Sequence, residues 1–216
     1  MSQATRPFVL VISAPSGAGK TSLARALVER RDDLAFSVSA TTRPPRPHER
    51  HGTDYLFVDE AEFLRMRNAG ELVEWAEVHG RHYGTPRSGI AAALANGKVA
   101  VLDIDVQGAR QVRSVFRDAV LVFILPPSIE ELGRRLSGRG SENAEERRRR
   151  MRTARVELPA VHEFDYLVVN DVFEDAVRAL EAIVISESRR ISRLPRIDEM
   201  VRELDAGLRT LLEGGS

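Results

Sequence analysis

The residues with the clearest chemistry form a short glycine-containing loop near the start of the chain. The loop fits the relaxed form of the phosphate-binding pattern G-x-x-x-x-G-K-[ST], with alanine at the first position. Its glycines let successive backbone N–H groups converge on phosphate oxygens, while Lys20 supplies a positive charge and the Thr21 hydroxyl reaches Mg²⁺. We predict that the loop binds a nucleotide polyphosphate through Ala14, Pro15, Ser16, Gly17, Ala18, Gly19, Lys20 and Thr21.

The surroundings of this loop distinguish it from an ordinary turn between a strand and a helix. It follows an apolar run at residues 8–13 and precedes a helical pattern at residues 22–30, which is the order that such a loop requires. The chain has only two lysines, Lys20 and Lys98, among 32 basic residues. One of the two stands where the loop needs a charge, and this favours phosphate binding.

Two acidic residues, Asp103 and Asp105, close a second apolar run that begins at Val99. Alternate residues of a strand lie on one face, so the two carboxylates share a face. An acid at the carboxyl end of a strand beside the loop supplies the negative charge that the water shell of Mg²⁺ needs. We expect one carboxylate to serve the metal and the other an adjacent ligand; a solvated strand end is the alternative.

A stretch rich in proline and arginine, residues 41–57, carries the pattern T-T-R-x-x-R-x-x-E-x-x-G-x-x-Y-x-F. Arg43 and Arg46 stand three residues apart on a segment stiffened by proline, with Tyr55 downstream. Two guanidinium groups and a hydroxyl so arranged can clamp the oxygens of a second phosphate, although a solvated basic loop is the alternative. Here the sequence resembles guanylate kinases, and the resemblance covers about residues 8–188.

The resemblance implies phosphoryl transfer from ATP to GMP with Mg²⁺, and it assigns the acceptor side residue by residue. The carboxylate of Glu74 would accept from N1–H and N2–H₂ of guanine, a donor pair that adenine lacks. The residues that would address the base are Ser39, Glu74, Thr85 and Asp105. The residues that would hold the GMP phosphate are Arg43, Arg46, Tyr55 and Tyr83.

The resemblance also assigns the donor side. In an arginine-rich stretch, Arg135, Arg139 and Arg150 match family positions over the ATP phosphates and adenine, and Asn170 matches an adenine-side contact. We assign Thr21 and Asp103 to Mg²⁺, through its water ligands. The residues expected to stabilise charge during the transfer are Lys20, Arg43, Arg139 and Arg150.

Short apolar runs and helical patterns alternate along the chain, which indicates an α/β fold with a parallel sheet. The predicted strands are residues 8–13, 99–104, 120–125 and 166–169, with residues 36–39 as a weaker fifth. The predicted helices include residues 22–30 and 176–183. We predict a three-layer P-loop NTPase fold, and resemblance to kinase relatives implies five parallel strands in the order 2-3-1-4-5.

Two stretches interrupt the alternation and divide the chain into parts. We predict a P-loop core (residues 1–38, 89–127 and 159–190), a GMP-binding insert (39–88), a helical lid (128–158) and a C-terminal helical extension (191–216). In the insert, Asp59 and Glu62 have the spacing of a helix cap, and Gly70 closes the helix. In the extension, apolar residues recur every three to four positions, so that helix is expected to dock on the core or on another subunit.

Composition narrows the class of protein. The 32 basic and 32 acidic residues balance, which argues against a general nucleic-acid-binding protein. The absence of cysteine excludes a disulfide scaffold and suits the cytosol. The longest purely apolar run, residues 119–125, is far shorter than the roughly 18 residues that suggest a membrane span. We expect a soluble cytoplasmic enzyme whose partners are ATP and GMP. We expect it to bind neither nucleic acid nor a membrane. A homo-oligomer is possible.

Two other functions are compatible with parts of this pattern. Guanylate-kinase-like domains also serve as non-catalytic interaction modules, but these commonly lose the phosphate-binding loop, which is intact here. A P-loop kinase for a different small acceptor is opposed by the arginines, the tyrosines and Glu74 together.

Overall fold

The computed structural model describes residues 5–78, 80–137 and 144–213 of the chain. The strands within them are β1 (Val9–Ser13), β2 (Leu34–Phe36), β3 (Ala40–Thr41), β4 (Leu56–Phe57), β5 (Leu72–Val78), β6 (Arg81–Pro86), β7 (Val99–Asp103), β8 (Val120–Leu125) and β9 (Tyr166–Val169). The α-helices are α1 (Lys20–Glu29), α2 (Glu60–Asn68), α3 (Arg87–Ala95), α4 (Val106–Val115), α5 (Ile129–Ser137), α6 (Ala144–Glu157), α7 (Phe173–Ser188) and α8 (Ile197–Glu213). Short 3₁₀ helices cover Leu158–Glu163 and Ile191–Arg193.

A five-stranded parallel sheet in the order β2-β7-β1-β8-β9 forms the centre of the molecule. Counted along the chain among themselves, these strands have the order 2-3-1-4-5, so the predicted topology is confirmed. The central strand β1 pairs with β7 through Val9 opposite Ala100, and with β8 through Leu10 opposite Val120. All five residues of β1 are buried, as expected for a strand with helices on both faces.

Each face of the sheet is covered by its own hydrophobic cluster. Leu10 and Ile12 belong to a cluster that includes residues of α1 and α7. Val9 and Val11 belong to a second cluster that includes residues of α3 and α4. The alternation of β1 side chains between two apolar layers fixes the strand, and thereby the loop that follows it.

A second, four-stranded sheet in the order β4-β3-β6-β5 lies in the sequence between β2 and β7. Its helix α2 begins as predicted, because Asp59 accepts a hydrogen bond of 2.8 Å from the Glu62 N–H. The chain leaves α2 at Gly70, where φ of +68° favours glycine. Phe63 of α2 and Leu72 of β5 join the small apolar cluster of this sheet.

The second strand of the core differs from the prediction. It covers Leu34–Phe36 rather than residues 36–39 and pairs with Val99–Val101. The Ser37 N–H still donates to the Val101 carbonyl at 2.9 Å, but the Ser39 carbonyl already accepts from Leu56 at 2.9 Å. The polar residues after Phe36 therefore lead into the second sheet.

Helix α8 forms where the apolar spacing predicts it, but it does not dock on the core. Val201, Leu204, Leu208 and Leu211 are 56%, 66%, 59% and 76% exposed, and no residue of α8 is buried. Of the two docking surfaces expected for α8, the core of its own chain is therefore not the one used in this structure. Among the described residues, no helix is long and apolar enough to cross a membrane.

Candidate active site

A cavity of about 350 Å³ opens where β1 and β7 end and the second sheet begins. One wall is the phosphate-binding loop, residues 14–21, and the opposite wall comes from β3 to β6. Helix α6 contributes a third wall. Since the carboxyl ends of parallel strands meet at one edge of a sheet, this is where an α/β fold places its ligands.

The loop takes its shape from two glycines in the left-handed region. Gly17 and Gly19 both have φ of +93°, a conformation that other residues rarely adopt. A Cβ atom at Gly17 would lie 2.7 Å from Cδ2 of Leu136, and one at Gly19 would lie 2.5 Å from Nδ2 of Asn170. The glycines therefore serve both the turn and the close packing of neighbouring elements against it.

Asn170 and Arg135 support the backbone of the loop. The Asn170 amide donates to the Ala18 carbonyl at 2.8 Å, and Arg135 donates to the same carbonyl at 3.3 Å. Arg135 also donates to the Asn170 carbonyl at 3.0 Å and to Glu131 at 2.6 Å. These two residues, both predicted to bind ATP, hold the loop backbone and lie off the cavity wall.

One face of α6 points into the cavity. Arg150, Thr153 and Glu157 follow each other at intervals of three and four residues and all line the cavity. The Arg150 guanidinium donates to the Ser16 hydroxyl at 3.0 Å, and the Ser16 N–H donates to the Glu157 carboxylate at 3.2 Å. Thus α6 contacts both the side chain and the backbone of one loop residue.

The two acids at the end of β7 have different partners. Asp103 forms an ion pair with Lys20, while Asp105 caps α4 by accepting from the Gly108 N–H at 2.8 Å. Thr21, Asp103 and Asp105 line one cavity and offer only oxygen ligands, the type that Mg²⁺ prefers. Within the described residues no three His, Cys, Asp or Glu side chains could hold a metal directly. The donor set therefore fits a Mg²⁺ that keeps most of its water.

Glu74 is a buried carboxylate on the opposite wall, only 3% exposed. Thr85 donates to it at 2.6 Å, and the Ser39 hydroxyl lies 3.4 Å from the Thr85 hydroxyl. Burial raises the pKa of Glu74 to about 7; the Thr85 hydrogen bond opposes this shift and the charge of Asp105 adds to it. Gly108 makes room for the group, because a Cβ atom there would lie 2.5 Å from Glu74 Oε2.

The predicted phosphate clamp, defined as Arg43, Arg46, Tyr55 and Tyr83, has both of its arginines in contact with Glu49. This carboxylate accepts from the Arg43 guanidinium and from the Arg46 backbone N–H, both at 2.8 Å. The Arg43 guanidinium also lies 5.3 Å from the centre of the Tyr55 ring. Burial raises the pKa of Tyr55 to about 12, so its hydroxyl keeps its proton and can donate to an anion.

Comparison with known proteins identifies the family of this arrangement. The family model described as guanylate kinase matches residues 5–187. The chain belongs to the guanylate kinase family. It is 49% identical to a guanylate kinase of Methylobacillus flagellatus over 91% of this chain and 98% of that protein. It is 46% identical to a guanylate kinase of Thermotoga maritima over 86% of this chain and 89% of that protein. The crystal structure of guanylate kinase from Anaplasma phagocytophilum, 34% identical, aligns with a TM-score of 0.79 over 93% of this chain and 96% of that one.

Membership of the guanylate kinase family confirms the resemblance seen in the sequence, the P-loop NTPase fold and the prediction of an enzyme. The family model covers the core, the second sheet and the helices α5 and α6, and ends before α8. The interaction-module alternative is therefore disfavoured, because the curated relatives matched over nearly their whole length are kinases.

The cavity brings together most of the residues predicted for a guanylate kinase site. Besides the loop, its predicted members are Ser39, Arg46, Tyr55, Glu74, Tyr83, Asp103, Asp105 and Arg150. Those that do not line it are Arg43, Thr85, Arg135 and Asn170. Arg139 lies outside the described residues. The role of each residue stays a prediction.

Sequence reasoning missed three residues that shape this site. Glu157 had only its helical spacing from Arg150 as a signal, and Glu49 appeared in the recognised pattern without a role. Gly108 lies within α4, and an interior glycine in a helix is itself a signal of close packing.

Proposed function

We propose that this protein transfers the γ-phosphoryl group of ATP to GMP, with Mg²⁺, by direct in-line displacement. The observation that carries the proposal is a single cavity with a phosphate-binding loop on one wall and a buried carboxylate beside an Arg–Tyr clamp on the other. This arrangement suits two phosphorylated ligands that meet end to end. The reaction ATP + GMP ⇌ ADP + GDP would serve guanine nucleotide biosynthesis and recycling in the cytoplasm.

On the acceptor side, the wall of β3 to β6 supplies complementary groups for GMP. Glu74, oriented by Thr85, would accept from N1–H and N2–H₂ of guanine, with Ser39 and Asp105 beside it. Arg46, Tyr55 and Tyr83 would take the phosphate oxygens, and Glu49 would keep Arg43 in reach of them. The acceptor phosphate is largely ionised near neutrality, so the residues need to align it rather than remove a proton.

On the donor side, the loop N–H groups and Lys20 would hold the ATP phosphates. Asp103, now paired with Lys20, and Thr21 would hold Mg²⁺ through its water ligands. When bound, Mg²⁺ would neutralise negative charge that develops on the phosphates during the transfer. Arg135 and Asn170, which already support the loop, would hold it in position for the adenine end of ATP.

The predicted parts would act as moving bodies around this cavity. The insert (39–88) and the lid (128–158) would close over the core (1–38, 89–127 and 159–190) once both substrates are bound. Closure would bring Arg139 and Arg150 towards the migrating group and exclude water that could otherwise hydrolyse ATP. We also propose that α8, in the extension 191–216, joins two copies of the chain into a homo-oligomer, and we expect neither nucleic acid nor a membrane as partner.

The competing proposal, a kinase for another small acceptor, is tested by a substrate panel. A coupled assay of ADP release at fixed ATP should show turnover with GMP and little with AMP, CMP or UMP. Glu74→Gln should weaken GMP by roughly tenfold to a hundredfold, since it loses a charge-assisted hydrogen bond, and leave the ATP requirement unchanged. Glu77→Gln, an exposed neighbour on β5, is the matched control. Preference for another monophosphate would contradict the proposal.

A further inference from the structure

Glu157 holds a position that the proposed reaction does not use. It is the last residue of α6, and its Oε2 accepts a hydrogen bond of 3.2 Å from the Ser16 N–H. About two helical turns earlier, Arg150 donates to the Ser16 hydroxyl at 3.0 Å. Ser16 is therefore held by α6 through two contacts that bridge more than 130 residues of sequence.

The contact involves the kind of group on which the loop depends. A phosphate-binding loop works because its backbone N–H groups point at the anion, together with the helix that follows. A carboxylate oxygen on such an N–H takes the place that a phosphate oxygen would need. Lys20 lines the same cavity, so Glu157 lies among the groups that attract the nucleotide.

The surroundings of Glu157 make its charge costly. The groups that act on it are the Ser16 N–H and Lys20 of the loop and its helix, and Asp105 at the start of α4. Arg150, on its own helix, lines the same cavity. Burial raises the pKa of Glu157 to about 7, Asp105 adds to the shift, and Ser16 and Lys20 oppose it. Negative charge from a triphosphate would act in the same sense as Asp105.

We propose that Glu157 is a positioning residue that competes with the ATP phosphates for the Ser16 N–H, so that nucleotide entry releases the end of α6 from the loop. The inference rests on the proposed ATP-binding role of the loop. It couples occupation of the loop to freedom of the lid through one hydrogen bond. A purely structural carboxylate would have the opposite effect, since its removal would loosen the loop and weaken ATP binding.

The test uses two substitutions and ATP as the probe. Glu157→Gln keeps the size and an accepting oxygen but removes the charge, and Glu157→Ala removes both. Glu163→Gln is the control, because Glu163 is exposed and pairs with Arg110 away from the cavity. ATP dissociation constants are measured by calorimetry at several pH values from 6 to 8.5, with thermal melting to confirm folding.

Competition predicts that both Glu157 variants bind ATP more tightly than the wild type, by about tenfold at the alkaline end. The ratio of the ATP dissociation constants of the wild type and Glu157→Gln should approach one as pH falls through about 7, because the wild-type carboxyl is then protonated. The protonation of ATP itself affects both dissociation constants equally, so it cancels in the ratio. The control should follow the wild type at every pH.

Two results would overturn the inference in distinguishable ways. Unchanged or weaker ATP binding by folded Glu157→Gln and Glu157→Ala, or a ratio independent of pH, would overturn the competition alone. Failure of the wild type to bind ATP at all would overturn the proposed function of the loop and this inference with it.

Discussion

At the scale of a single side chain, the proton on Glu74 links the site to the stability of the protein. Its pKa is raised from 4.5 to about 7, chiefly by burial. Between these values the folded protein holds a proton that the unfolded chain has released. The stabilisation is complete at low pH and is lost as pH rises through about 7. Glu157 has a shift in the same direction and adds to the effect.

We therefore expect the melting temperature of the nucleotide-free protein to fall between pH 5 and pH 8. Glu74→Gln should reduce this fall, because the amide has no proton to lose, and it should melt closer to the wild type at the acid end. Scanning calorimetry at intervals of one pH unit measures the slope. Glu77→Gln should keep the wild-type slope, and parallel curves for wild type and Glu74→Gln would contradict the assigned proton.

At the scale of elements, the position of Glu74 depends on how closely α4 approaches β5. The Gln111 side chain on α4 bonds both backbone groups of Trp75, at 3.1 Å to the N–H and 2.8 Å to the carbonyl. This fixes the strand that carries Glu74 against the helix. Gly108, one turn before Gln111, leaves the gap into which the carboxylate fits.

Gly108→Ala should displace Glu74, since the new Cβ would meet Oε2 at 2.5 Å. We expect a higher KM for GMP, an unchanged KM for ATP and a lower melting temperature. Alanine normally stabilises a helix relative to glycine by about 1 kcal/mol, so destabilisation would reveal the contact. The control is Gly207→Ala in α8, where a Cβ atom meets nothing within 4 Å and the usual gain should be seen. Equal effects of the two substitutions would rule out the steric role.

The elements themselves were predictable in proportion to their apolar content. The runs at 120–125 and 166–169 match β8 and β9, because both strands are continuous apolar segments. Strand β8 is buried on both faces, whereas β9 lies at the edge of the sheet and exposes Leu167 and Val169. Strand β6, Arg81–Pro86, carries no such signal and forms because it pairs with β5 and β3. The edge strand β2 was predicted at the wrong residues, because its position depends on pairing with β7 alone.

The site was predictable where its residues are close in sequence. The loop at 14–21 and the clamp pattern at 41–57 carry their chemistry in local spacing, and the cavity joins them. Glu157 and Gly108 act through contacts with residues far along the chain, Ser16 and Glu74. Only folding brings those pairs together, so local patterns could point to Glu157 and Gly108 but not to the residues that they contact.

At the scale of the whole molecule, the second sheet is held to the core unequally at its two ends. Near Glu74 it is fixed by the two hydrogen bonds of Gln111 to Trp75. Near the clamp it is held by an ion pair of 2.7 Å between Arg25 and Asp54, and pairs of this partly exposed kind contribute little. The clamp is thus the end that can move with least loss of contacts when GMP enters.

The exposed helix α8 is a second feature of the whole molecule, and its spacing indicates what covers it. Its apolar residues follow the four-three repeat of a coiled-coil seam, which fits another helix better than a flat surface: Ile197, Val201, Leu204, Leu208 and Leu211. Two α8 helices packed through this seam would bury the apolar side chains of both.

We expect the wild-type protein to be a dimer or a larger even assembly in sedimentation velocity. Leu204→Glu combined with Leu208→Glu should yield monomers, because the added charges would face an apolar seam. Ala206→Glu combined with Thr210→Glu adds the same charge on the opposite face of α8 and should leave the assembly intact. Both double variants should keep GMP kinase activity per chain, since no residue of α8 lines the cavity. A wild type that sediments as a monomer at micromolar concentration would contradict the proposed pairing of α8.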